Sequence, residues 1–147
     1  MSKYLKQHLL PIVFSLARVW WFIRRPHTRG VKCLVTCGDA ILLVRLSYSH
    51  KLWSIPGGGV HNGETDEIAV RREILEETGV VLDTLHYIGS YTQEIEYKHD
   101  TVVCYCADVD KNTVHIDGIE ITEAGWFTKD ALPIDRATCV DRLLQMM

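Results

Sequence analysis

The sequence predicts a single α/β domain: a mixed sheet with helices on its faces, preceded by an extra N-terminal helix. Three observations predict it. Short apolar, β-branched runs alternate with helical segments through the chain, the interspersed order expected of a sheet covered by helices. One central segment carries both a helix start signal and a helix stop signal. The length of 147 residues is enough for one sizeable core and no more.

The N-terminal helix comes first. Leu9, Ile12, Val13, Leu16, Trp20 and Ile23 recur at helical spacing. The apolar stretch from Leu9 to Ile23 is too short to span a membrane, which takes roughly 20 residues, and it contains Pro11 and Arg18. It also lacks the small-residue cleavage site of a signal peptide. The reading is an amphipathic helix packed on the domain. Weak contact with an anionic membrane surface and self-association through the helix are the alternatives. Residues 1–28 are assigned to this helix and its linker, and 29–147 to the main domain, with Pro26 to Gly30 as the separator.

Val31–Cys37 and Ala40–Leu46 read as a hairpin turning at Gly38-Asp39. Leu52–Ile55 precedes the obligatory loop Pro56-Gly57-Gly58-Gly59. Thr65 caps a helix whose first turn holds Asp66 and Glu67, favourable near the positive end of the helix dipole, and Gly79 stops it. Leu85–Tyr97, Thr101–Val109 and Ile119–Thr128 read as strands, with Trp126 and Phe127 in the core. Asp135 to Met147 reads as a closing helix after Pro133.

The net charge of -3 hides an asymmetry. Residues 1–38 hold seven basic side chains and no acid, leaving nine bases against 19 acids in the remainder. A basic arm on an acidic body suggests two jobs in one chain. Of five cysteines, an odd number, Cys33 and Cys37 share one apolar run and Cys104 and Cys106 another, without CxxC spacing. They read as buried free thiols and suit a reducing, cytoplasmic setting. The histidines are scattered without metal-ligand pairing.

The helix from Asp66 to Thr78 carries the chemistry. At about 100° per residue, Glu73, Glu76 and Glu77 share an arc of roughly 100°, with Ile68 and Leu75 opposite, where a core is expected. Carboxylates that close repel one another and weaken the helix. No lysine or arginine is interleaved on the arc. A divalent cation is the natural relief, and all-oxygen ligands suit Mg²⁺ or Mn²⁺. The charge pattern alone leaves metal binding and a solvated acidic face equally open.

The surrounding residues decide between them. Gly58, Glu64, Arg72, Glu73, Ile74, Glu76, Glu77, Gly79 and Val80 stand in the order G-x5-E-x7-R-E-U-x-E-E-x-G-U, with U a bulky aliphatic. This resembles the signature of the Nudix hydrolases at every defined position. The flanking Trp53-Ser54-Ile55-Pro56-Gly57 and the segment Glu120 to Pro133 (EITEAGWFTKDALP) extend the likeness over roughly residues 31–133. His61 departs from it, standing where many relatives carry an acid.

The resemblance implies the family's α/β/α sandwich around a mixed sheet. It implies Glu73, Glu76, Glu77 and the Gly57 carbonyl as metal ligands, with Mg²⁺ or Mn²⁺ as cofactor. Arg72 looks like the arginine that orients the glutamates, and Glu64 like the acid that ties the loop to the helix. Glu73 is the first candidate for general base, with Glu120 or Glu94 in reserve. Arg45, Tyr48, Lys51, Trp53, Gly58 and Glu120 are candidates for substrate contact. For Trp53, core packing is the stronger reading.

The implied function is metal-dependent hydrolysis of a diphosphate linkage in a nucleoside diphosphate joined to another moiety. A nucleoside triphosphate pyrophosphatase of the MutT-like kind leads. The extra motifs of the family's NADH, coenzyme A and ADP-ribose branches are absent. The expected partner is a small-molecule nucleotide, with no nucleic acid. The rivals are a non-catalytic Nudix-fold module binding nucleotide or RNA, and a membrane-surface protein working through its basic arm.

Overall fold

A computed structural model describes residues 27–48, 52–95, 98–116 and 118–147. The expected N-terminal helix, Lys51 and Tyr97 lie outside the described residues. The elements run β1 (His27–Cys37), β2 (Ala40–Leu46), β3 (Trp53–Ser54), α1 (Asp66–Thr78), β4 (His86–Ile95), β5 (Lys98–Asp108), β6 (Ile121–Thr128) and α2 (Thr138–Met146).

The sheet is mixed, with the order β3-β2-β1-β5-β4 and β6 paired to β2. β1 and β5 run parallel from His27↔His99 to Thr36↔Asp108. The other strand pairs are antiparallel. The hairpin expected at Gly38-Asp39 forms, with Cys37 opposite Ala40.

Alternation along β1 builds the sandwich, because successive side chains point to opposite faces. Val31, Cys33 and Val35 pack with Ala69, Val70 and Ile74 of α1. Leu34 faces the other way, into a cluster with Trp53, Ile55, Val140 and Leu143. Among the described residues, each face of the sheet therefore carries one helix. No helix among the described residues is long and apolar enough to cross a membrane.

Several boundaries shift for identifiable reasons. His27 to Gly30 is not a separator, because it pairs with β5 as part of β1. The closing helix begins at Thr138 rather than Asp135. The carbonyl of Asp135 accepts the Trp53 N–H at 2.9 Å, and the Ala137 N–H donates to the Trp53 carbonyl at 2.7 Å. Those residues are committed to the edge of the sheet. The core face of α1 is also corrected: Ile68 is 58% exposed and Leu75 50%. The helix instead buries Ala69, Val70 and Ile74, together with Glu77. Trp126 and Phe127 are half-buried at the margins of the two clusters.

The cysteines are free: Cys33 and Cys104 are buried, and Cys37, Cys106 and Cys139 half-buried.

Candidate active site

The caps on α1 hold the glutamates in place. The Thr65 side chain accepts the Ile68 N–H at 3.3 Å. Gly79 adopts the left-handed region at φ 70°, and its N–H returns to the Leu75 carbonyl. Between these ends the acidic arc turns toward the loop ahead of the helix.

That loop is zipped to β1. Val31 N–H donates to the Gly58 carbonyl at 2.9 Å, Cys33 N–H to Pro56 at 3.1 Å, and Val60 N–H to Arg29 at 2.9 Å. At the helix start, the Arg29 guanidinium grips both carboxylate oxygens of Asp66. Strand, loop and helix form one scaffold.

Arg72 sits at the centre of the acidic network. Nε and Nη2 donate to the two oxygens of Glu64, each at 2.9 Å. Nη1 reaches Glu73 at 2.7 Å and Glu76 at 3.2 Å, and Nη2 also donates to the Gly59 carbonyl at 2.9 Å. A guanidinium has five N–H donors, and this one has five contacts. The Arg72 fork, together with the His61 N–H, pulls the Glu64 carboxyl down to about 2, so it stays ionised. Glu64 thus joins the His61 N–H of the loop to Arg72 of the helix. The cation missing from the glutamate arc lies at its edge, one residue before Glu73.

Glu77 is the unusual group. It is 6% exposed, and its Oε2 accepts the Gly57 N–H at 2.8 Å. Burial pushes its carboxyl up to about 7, against relief from that hydrogen bond and from Lys32, and with added repulsion from Glu73 and Glu120. Lys32 was not singled out from the sequence, where it reads as one more base of the basic arm. It reaches the site because strand alternation turns it toward Ser54 and the Ile55 carbonyl, which its Nζ meets at 2.7 Å.

Glu73, Glu76, Glu77 and Glu120 line one cleft of about 200 Å³, with Ile121 as its apolar wall. Gly58 packs directly on Glu73: a side-chain carbon there would stand 2.5 Å from the Glu73 carboxyl. The other candidates separate. Arg45 pairs with Asp135 at 2.9 Å and stacks over Trp53. Trp53 is buried edge-on against Phe127, so its role is packing. Tyr48 is 56% exposed. Glu94 pairs with His99 and lines a different depression, with His27 and Thr92.

The donor set fits a hard divalent cation. Four carboxylates converge, and one is buried at a cost that a cation would remove. Among the described residues no three acidic, histidine or cysteine side chains form a ready-made metal cage. The carboxylates instead line an open cleft, which suits an ion that keeps waters and takes ligands from a phosphate.

A pH dependence follows from Glu77. Between its ordinary value of 4.5 and about 7, the folded protein holds a proton that the unfolded chain has released. The unfolded state binds fewer protons there, so stability falls as pH rises through that window. The loss is on the order of 3 kcal/mol without metal. Thermal unfolding in chelator, with Glu77→Gln as reference, measures it. Parallel pH profiles for the two proteins would remove the burial argument.

The family profile described as the NUDIX domain matches residues 26–145. The NAD-capped RNA hydrolase NudC of Erwinia tasmaniensis is 34% identical over 115 residues, covering 76% of this chain and 43% of that protein. The NudC of Citrobacter koseri is 34% identical over 97 residues, covering 65% of this chain and 37% of that protein. This chain thus spans about two fifths of the length of these relatives. The solved MutT NUDIX hydrolase from Burkholderia pseudomallei superposes with a TM-score of 0.76 at 24% identity, over 82% of this chain and 98% of that one. The NUDIX domain of Shewanella oneidensis NrtR, complexed with ADP ribose, gives 0.63 at 21% identity, over 82% of this chain and 78% of that one. These two share its fold. With the signature Gly58–Val80 carried on the expected loop and helix, and the family profile matched over most of its length, the chain belongs to the Nudix hydrolase family.

Proposed function

We propose that this chain hydrolyses a diphosphate linkage in a nucleoside diphosphate joined to a second group, with nucleoside triphosphates as the leading substrates. The observation that carries this reading is the convergence of Glu73, Glu76, Glu77 and Glu120 on one cleft beside the fully engaged Arg72.

Glu73, Glu76, Glu77 and the Gly57 carbonyl would hold Mg²⁺ or Mn²⁺. Such an ion supplies charge compensation for phosphate oxygens and lowers the pKa of an attacking water. The residues do the rest. Arg72 fixes the carboxylates against their mutual repulsion, and Glu64 fixes Arg72. Glu73 takes the proton from the attacking water, with Glu120 at the same cleft as the alternative base. The free cysteines favour a cytoplasmic setting.

A second reading comes from the NudC relatives, whose names specify an NAD-capped RNA. It places a dinucleotide diphosphate, free or at the end of an RNA, in the same cleft. A hydrolysis screen with Mg²⁺ over nucleoside triphosphates, NAD, NAD-capped RNA and nucleotide sugars separates the two. Activity is expected to vanish in chelator and return with the cation. Turnover that survives exhaustive chelation would sink the metal assignment.

A further inference from the structure

Three polar side chains on three adjacent strands meet near the stretch of β1, Arg29 to Val31, that bonds the loop before α1. Thr28 Oγ1 of β1 donates to Asp100 Oδ1 of β5 at 2.7 Å. Gln93 Nε2 of β4 donates to Asp100 Oδ2 at 3.3 Å. The register sets Thr28 opposite Asp100 and Gln93 opposite Asp100, so all three lie on one face. The next residues of these strands on that face are Gly30, Val102 and Tyr91, with Gly30 and Tyr91 both opposite Val102. This is the face away from α1, whose core partners on β1 are Val31, Cys33 and Val35.

Gly30 connects this cluster to the cleft. A side-chain carbon at Gly30 would stand 4.0 Å from both Asp100 carboxylate oxygens and 3.3 Å from the Gly58 carbonyl. Gly58 in turn packs on the Glu73 carboxyl. The half-buried Asp100 is thus one strand away from the loop that shapes the cleft. A side chain at Gly30 would come into contact with both of its oxygens, and glycine leaves them uncovered on that side. The nearby Tyr91 hydroxyl is buried with no hydrogen-bond partner among the described residues.

The chemistry of this wall is that of an acceptor. An ionised carboxylate accepts only and has about four lone-pair sites, of which Thr28 and Gln93 use two. The Gly58 carbonyl adds another acceptor. Such a wall repels phosphate and selects hydrogen-bond donors, so it suits the nucleoside half of a substrate. Guanine presents two adjacent N–H donors, N1–H and the N2 amino group, that match a carboxylate. Adenine and cytosine set their amino group beside an acceptor nitrogen, which an ionised carboxylate refuses.

We propose that Asp100, held by Thr28 and Gln93, is a specificity-determining residue that accepts the paired N–H donors of a guanine base. This deepens the proposed function and rests on it. A ribose diol is the other paired donor in a nucleoside, and the experiment distinguishes the two.

The test measures kcat and KM with Mg²⁺ for GTP, ITP, ATP and dGTP, using wild type, Asp100→Asn and Thr28→Val. The wild type is expected to favour GTP over ITP and ATP. Asp100→Asn is expected to lower kcat/KM for GTP by roughly 10- to 100-fold, mainly through KM, and to leave ATP little changed. Thr28→Val keeps the carboxylate but unties it, and is expected to raise KM for GTP less. It also serves if Asp100→Asn does not fold. A uniform fall across all nucleotides, or a lowered Tm with unchanged selectivity, reduces Asp100 to a clamp between strands and overturns the proposal. Discrimination between GTP and dGTP, without discrimination between bases, overturns it in favour of ribose. Hydrolysis with no preference for GTP overturns the subsite alone. No hydrolysis of any member overturns the triphosphate reading and the subsite together.

Discussion

Glu77→Gln is expected to lower kcat by a factor on the order of 10² or more while leaving the metal-free protein at least as stable as wild type. The two effects have one cause. Glu77 is a buried carboxylate whose ionisation is opposed by desolvation and by Glu73 and Glu120. Gln is nearly isosteric and keeps an oxygen for the Gly57 N–H, now bonded to Glu77 at 2.8 Å. It therefore removes the charge that a divalent cation requires, and with it the cost of burying that charge. A structural residue behaves differently, because losing its interactions lowers stability and activity together. Steady-state turnover with Mg²⁺ and Tm in chelator above neutral pH check both halves. Glu77 is displaced from the site if the folded variant turns over at the wild-type rate. A fall in Tm parallel to the loss of rate would make the defect one of folding.

How much of this was legible in the sequence depended on whether the signal was local. Thr65 and Gly79 are local capping residues, and the helix between them runs Asp66–Thr78, as read. The spacing of Gly58 to Val80 named the family because fixed offsets on a loop and a helix survive without knowledge of the rest. The core face of α1 was misread because Glu77 looks polar and Leu75 apolar. The burial of Glu77 is offset only in part by the Gly57 N–H and Lys32, neither of which is visible from helix periodicity. The start of α2 was placed too early because Asp135 to Ala137 pair with Trp53, a contact over more than 80 positions. Arg45 and Trp53 lie next to the box in sequence, yet they pack on each other and on Asp135 and Phe127. Asp100 carried no motif at all. It emerges only when parallel pairing of β1 with β5 sets it opposite Thr28.

Gly57→Ala is expected to destabilise the protein by about 3 kcal/mol or more, from backbone strain and overpacking together. Gly57 has φ +141°, and a side-chain carbon there would stand 2.2 Å from the Val31 carbonyl oxygen and 2.8 Å from Lys32 Cα. Both neighbours are backbone in the central strand, so neither can rotate away. The loop would have to lift, at the expense of the hydrogen bonds from Val31 to Gly58 and from Cys33 to Pro56. For a domain of this size such a loss lowers Tm by roughly 6–12 °C. Its neighbour isolates the cause. At Gly58 the added carbon meets the Glu73 carboxyl at 2.5 Å, the far end of a side chain that can swing aside. Gly58→Ala is expected to change Tm little but to pull Glu73 out of place and depress turnover. Gly59→Ala, with nothing within 4 Å, is expected to leave both near wild type. Three adjacent glycines thus read out as fold together with site, site alone, and neutral control, by thermal unfolding and steady-state kinetics on one panel. Equal Tm values for the Gly57 and Gly59 variants would show that the loop does not press on β1 as these distances require.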